Sequence, residues 1–139
     1  MEKVKSFDDL VVWQRAIALA KVVYGLQKLL PKEERYAMGD QLRRAAVSVA
    51  SNIAEGFGRD THKDFAHFLV QARGSLCEVE TQLILAVDLG YIAESEIPAA
   101  TIASISKMLS ALMRHLRAEP APSTKLQAPD TSTAPSTKH

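Results

Sequence analysis

From Phe65 to Val87 the apolar residues recur every three or four positions: Phe65, Phe68, Leu69, Ala72, Leu76, Val79, Leu83, Ala86 and Val87. At about 100° of rotation per residue, that spacing draws one stripe along a helix of more than six turns, about 40 Å long. A seam of this length must be covered by other helices of comparable length, which confines the chain to an all-α bundle. Asp60 or Thr61 begins the helix, with Asp64 as capping partner, and Gly90 ends it.

Three further helices follow from the same periodicity. The first covers roughly 8–30. Leu10, Trp13, Ile17, Ala20 and Tyr24 share one face, and Val12, Ala16, Leu19, Val23 and Leu26 make a second, before Pro31 stops it. The second starts near 34–36 and runs to about Phe57, where Gly56 and Gly58 break it. The fourth runs from Ser95 or Pro98 to Arg117, with Ile102, Ile105, Leu109, Leu112 and Leu116 on one face. Four long helices with short connections predict an antiparallel up-down-up-down four-helix bundle over 1–118. Residues 119–139 are rich in Pro, Ser, Thr and Ala, with Leu126 the only large aliphatic, and are expected to be a disordered tail.

The second helix is the candidate functional element. Gln41, Arg44, Ser48, Asn52 and Glu55 align as a polar seam, and beside it runs an apolar stripe of Met38, Leu42, Ala45, Val49 and Ile53. Its back carries Val47, Ala50, Ala54 and Gly58, all apolar or small, where a surface helix would carry charge. That face is expected to be an oligomer interface. The seam is expected to be a structural polar network, in which Arg44 takes Glu78 or Glu80 as partner and Glu55 takes Arg73. Gly74 and Ser75, in the middle of the third helix and away from its stripe, suggest close approach by another backbone, from a neighbouring subunit; a simple surface glycine is the alternative.

Formal net charge is only +1 over 139 residues, so no global field draws in a polyanion, and any nucleic-acid contact must rest on local clustering. Arg43, Arg59 and Lys63 are the candidates for phosphate contact, Arg through its planar fork; the alternative is that these charges pair with nearby acids. Phe57 is the only aromatic residue evidently interleaved with them, which speaks against stacking on single strands.

Catalytic signals are weak. His62 and His67 are five apart and diverge on a helix, and no His-x-x-x-His or Glu-x-x-His pair is present. Gly56 to Arg59 lacks the strand–loop–helix setting of a phosphate loop. Cys77, the single cysteine, is read as a small buried hydrophobe. We therefore expect no metal, no cofactor, no small-molecule substrate and no enzymatic activity. The opening residues MEKVKSFDDL carry no signal-peptide core, and no run approaches about 18 apolar residues. A soluble, cytoplasmic protein without membrane contact is expected.

The segments FDDLVVWQRA (7–16), QLRRAAVSVASNIAEGFGR (41–59) and FLVQARGSLCEVETQL (68–83) resemble the 23S rRNA-intervening-sequence proteins, a four-helix-bundle family that includes the accessory variability proteins of diversity-generating retroelements. The resemblance covers roughly 5–117, and SNIAEG-x-GR at 51–59 with GSL-x-E at 74–78 are its most specific elements. It implies a small helical bundle able to assemble as a ring-like homopentamer. The retroelement proteins are strongly basic and bind nucleic acid and a reverse transcriptase, so RNA, DNA or a reverse transcriptase are the partners implied. This chain departs from them in being almost neutral. It also carries Ala50 where the family pattern often has Pro, which implies a straighter second helix. Two functions remain open: a non-catalytic oligomeric scaffold with a basic surface for nucleic acid or a nucleic-acid enzyme, and a purely structural protein–protein interaction module.

Overall fold

The computed structural model describes residues 4–118. The tail expected at 119–139 lies outside them. Four helices make up the fold: α1 (Val11–Gln27), α2 (Met38–Phe57), α3 (His62–Asp88) and α4 (Ala99–Ala118). No strand occurs among the described residues. α2 packs most extensively on α3 and next on α1, while α4 closes the arrangement against both α3 and α1. Helices adjacent in sequence are therefore adjacent in space, and α1 and α3 stand diagonally opposed. This is the neighbour pattern that an up-down-up-down chain trace produces.

Cap and turn chemistry shortens two of the expected helices and sets the start of α4 beside Pro98. Asp9 Oδ2 accepts the backbone N–H groups of Lys5 at 3.0 Å and Ser6 at 3.3 Å around a 3-10 turn at Phe7–Asp9, and Leu10 is then extended, so α1 starts at Val11. After Gln27 the chain turns under Arg35, whose guanidinium donates to the carbonyls of Leu30 and Lys28 at 3.3 Å each. A second 3-10 turn at Lys32–Glu34 delays α2 to Met38, and a third at Glu94–Glu96 precedes α4. The start of α3 falls where expected: Thr61 Oγ1 accepts the Asp64 N–H at 3.1 Å. At its other end Gly90 has φ +81°, a left-handed conformation that side-chain-bearing residues adopt only at a cost.

No whole polar or charged residue is buried among the described residues, and Gln82 Oε1 is a buried side-chain oxygen without a hydrogen-bond partner. Leu69, Ala72, Leu76, Val79, Leu83 and Ala86 bring the α3 seam to the centre of the core. Val12, Ala16, Leu19, Val23 and Leu26 do the same for α1, whose other face (Leu10, Trp13, Ile17) is half-buried at the rim. Burial of each large aliphatic stabilises the fold by about 1.5–3 kcal/mol relative to exposure. In α4 Met113 is buried between Leu109 and Leu116, which are buried as well, and Leu112 is half-buried beside it.

Tight packing at one glycine fixes the α2–α3 corner. A Cβ on Gly56 would lie 2.9 Å from Phe65 Cδ1, 2.9 Å from Phe68 Cβ and 3.1 Å from the Phe65 carbonyl oxygen. Only a residue without a side chain lets α3 start so close to the end of α2. One sequence reading is corrected on α3. Cys77 is exposed, because it falls on the outer side of the helix rather than at the edge of the seam. Nothing in the protomer lies within 4 Å of a Cβ built on Gly74, so no backbone of this chain approaches there.

Candidate functional site

The polar seam on α2 becomes a compact cluster. Ser48 and Ser75 join α2 to α3 through a hydroxyl–hydroxyl hydrogen bond of 2.8 Å. Asn52 Nδ2 donates both to the Ser48 carbonyl at 2.9 Å and to Ser48 Oγ at 3.0 Å. All three residues are half-buried, so the bonds are partly shielded from water and hold the two helices in register. The ends of the seam stay outside this cluster. Glu55 pairs with Arg59, four residues on and just past the end of α2, at 3.4 Å, not with Arg73. Among the described residues no carboxylate lies within ion-pair distance of Arg44, so its expected pairing with Glu78 or Glu80 is absent. Gln41, Arg44, Ser48 and Glu78 instead line a shared hollow between α2 and α3.

The three cations expected to face phosphate do not converge. Arg43 is ion-paired with Asp40 and lies 5.7 Å from the Tyr24 ring centroid. Arg59 packs over the Phe68 ring at 4.6 Å and sits just past the other end of α2. Their separation of sixteen positions corresponds to roughly 24 Å at the rise of a helix. Lys63 is exposed in the first turn of α3, near Arg59 and far from Arg43 along the bundle. The expected interface face is also broken up. Val47 and Gly58 are exposed and Ala54 is half-buried, but Ala50 is buried in the protomer's own core. The reason is geometric: α2 is gripped from both sides by α1 and α3, so its buried arc is wide enough to include Leu42, Ala46, Val49, Ala50 and Ile53.

What the structure does assemble is a cleft between α1 and α2. Tyr24 from α1 and Arg43, Arg44, Val47, Ser48 and Ser51 from α2 line a hollow of about 500 Å³. Arg43 also lines a second hollow of about 260 Å³, with Gln27, Lys28, Arg35 and Tyr36. Four cations and two exposed tyrosines line these two neighbouring hollows. Spacing along the sequence did not bring these tyrosines forward, because they come from α1 and from the α1–α2 connection. The available signal was the i,i+4 pair Tyr24–Lys28 together with Arg35–Tyr36.

Among the described residues no group of three or more His, Cys, Asp or Glu side chains is placed to hold a metal ion. No helix among them is long and apolar enough to cross a membrane.

Residues 8–111 match the family model of the 23S rRNA-intervening sequence protein. The chain belongs to that family. A crystal structure at 1.70 Å resolution of a protein of unknown function, from the S23 ribosomal protein family of Bacteroides thetaiotaomicron VPI-5482, is similar to it. The TM-score is 0.58 at 24% identity, over 78% of this chain and 96% of that one. At that identity the likeness is one of fold. No curated protein matches the chain. For this member of the intervening-sequence family, then, function has to be argued from the bundle's own surface.

Proposed function

We propose that the protein is a non-catalytic scaffold that assembles with copies of itself, the outer face of α1 in one copy docking on the outer face of α3 in the next. The observation that carries this reading is a pair of exposed stripes free of charge. On α1, Val11, Ala18, Val22 and Gly25 fall within roughly 60° of one another, and all are exposed. On α3, Val70, Gly74, Cys77, Thr81 and Ile84 fall within about 80°, and all are exposed, Val70 by 45% and Ile84 by 48%. A soluble surface seldom leaves four turns of helix without charge unless something covers them.

Two features support a second copy as the occupant. Gly25 and Gly74 lie within these stripes with no atom near a built Cβ, although glycine inside a helix costs about 1 kcal/mol relative to alanine. A partner helix that approaches closely makes use of that missing side chain. The flanks are also complementary. α1 carries Arg15 and Lys21 and no acid, whereas α3 from Ser75 to Asp88 carries Glu78, Glu80 and Asp88 and no Lys or Arg. Because the two faces differ and sit on diagonally opposed helices, the contact is heterologous, and it closes into a ring when the rotation per copy permits. The homopentamer implied by the family resemblance is one such closure.

The test is charge reversal on the full chain, read by light scattering after size exclusion. Lys21→Glu or Glu80→Lys alone should shift the population towards smaller species, and the double variant should recover the original size. Single variants that leave the mass unchanged, together with Val22→Asp and Ile84→Asp that also leave it unchanged, would sink the α1–α3 contact.

A further inference from the structure

We infer that the hollow between α2 and α3 binds a small zwitterion, its carboxylate held by Arg44 and its ammonium group by Glu78. Gln41, Arg44, Ala45, Ser48 and Glu78 line a space of about 440 Å³. The two charges in it are of opposite sign and stand on opposite walls, Arg44 on α2 and Glu78 on α3. Neither has an ion-pair partner among the described residues, and they do not reach each other. An anion entering this space gains at Arg44 and is repelled at Glu78, and a cation meets the reverse. Only a molecule that carries both charges gains at both walls.

The register of the two helices keeps these walls apart. Gly56 packs against Phe68 and Ser48 bonds to Ser75, so α2 and α3 run antiparallel. Glu78 lies three residues after Ser75 and Ala45 three before Ser48, which brings the carboxylate opposite a methyl group rather than opposite a cation. The α3 wall is also short of donors. Gln82 follows Glu78 by four residues, beside it on one helical face, and its Oε1 is buried without a hydrogen-bond partner. An ammonium group brings three donors to a wall that has a free carboxylate and an unsatisfied amide oxygen. The α2 wall offers the guanidinium fork that fits a carboxylate, with the Gln41 amide three residues before it on the same face.

Arg44 also lines the α1–α2 hollow, where the other charge is Arg43, already paired with Asp40. No carboxylate lines that side, so a zwitterion finds both of its partners only between α2 and α3. Glu78 flanks the exposed α3 stripe on the side turned to α2. Binding is therefore measured on dispersed protomers, where no neighbouring copy's cations compete for Glu78, and it does not depend on the α1–α3 contact.

The experiment is a nuclear magnetic resonance titration of the isotope-labelled full chain at neutral pH, at a concentration where light scattering shows single protomers. The probes are glycine and diglycine, beside N-acetylglycine, which lacks the ammonium group, and glycinamide, which lacks the carboxylate. The expected result is saturable amide shifts at Ala45, Ser48 and Glu78 with a zwitterion, and binding of both blocked compounds weaker by about tenfold or more. Glycine bound more tightly than diglycine identifies a free amino acid as the source, and the reverse a short peptide with free ends; either supports the site. Arg44→Glu and Glu78→Arg should each weaken binding by about tenfold or more. The double variant should regain it, with the ligand turned end for end. Both positions are exposed, and unchanged circular dichroism should show that the fold is kept. A blocked compound that binds as well as the zwitterions would overturn the proposal. So would single variants that bind normally, a double variant no better than the singles, or no saturable shift with either zwitterion at about 50 mM.

Discussion

One substitution made at two glycines should move stability in opposite directions. At Gly74 a new Cβ meets open space, so Gly74→Ala gains the helix-propensity difference, about 0.8–1.0 kcal/mol, with nothing to offset it. At Gly56 the new methyl would be driven against Phe65 Cδ1 and Phe68 Cβ at 2.9 Å and against a backbone oxygen at 3.1 Å. Overpacking of that kind costs about 1–3 kcal/mol. Gly56 stands at the last turn of α2, where the propensity gain is small, so Gly56→Ala should lose about 1–2 kcal/mol net. The assay is urea denaturation followed by circular dichroism, at a concentration where light scattering shows single protomers, because association would otherwise add to the apparent stability. Gly74→Ala should raise the midpoint and Gly56→Ala should lower it, with slopes unchanged. At higher concentration Gly74→Ala should also weaken assembly, since the methyl enters the proposed contact. A shared sign for the two variants would refute the packing account of Gly56. Assembly left intact by Gly74→Ala and also by Gly74→Leu would refute the role given to the α3 stripe.

Other consequences follow from single contacts. Leu83 is fully buried in the α3 seam, so Leu83→Ala should cost about 2–5 kcal/mol, and a loss below about 1 kcal/mol in denaturant would contradict its central place. Thr61→Ala removes the hydroxyl that caps α3 and should cost about 1 kcal/mol, whereas Thr61→Ser should be close to neutral in the same measurement. Desolvation, then the adjacent Glu34 carboxylate, raises the Tyr91 pKa above its ordinary 10.0. The folded state then holds this proton more tightly than the unfolded chain, so the contribution is present below about pH 10 and is lost as pH rises through the folded pKa. Denaturation midpoints taken across that range should fall less steeply for Tyr91→Phe than for the parent chain; identical slopes would show that Tyr91 is not the group responsible.

How far the sequence could be read depended on how many neighbours each helix has. α3 buries one continuous stripe, so a period of three and four located Leu69, Leu76, Val79 and Leu83 directly, and Thr61 with Asp64 marked its start. α2 is held by two helices at once, and a wheel projection cannot say whether a small residue is covered by a second neighbour. That is why Ala50, on the apparent back of the helix, is buried while Val47, one turn earlier, is exposed. Cys77 failed for the converse reason: an apolar side chain near the edge of a stripe was credited to the core, whereas it belongs to the outer row of Val70, Thr81 and Ile84. The two hollows beside α1 were the least legible feature. Their members come from α1, the connection after it and α2, and only tertiary packing places Tyr24 beside Arg43 and Tyr36 beside Lys28.

Net charge proved a poor guide for the same reason: it sums over a surface whose signs are segregated. A formal total of +1 conceals an α1 without acids, an acidic outer half of α3 and two neighbouring hollows lined by four cations. In a heterologous assembly the acids of one copy's α3 are taken up by Arg15 and Lys21 of the next. The assembled particle would then present a repeated series of positive surfaces along α1 and α2 although each chain is almost neutral. The oligomer would in this way absorb the acidic surface of α3, and the basic surface would repeat with every copy.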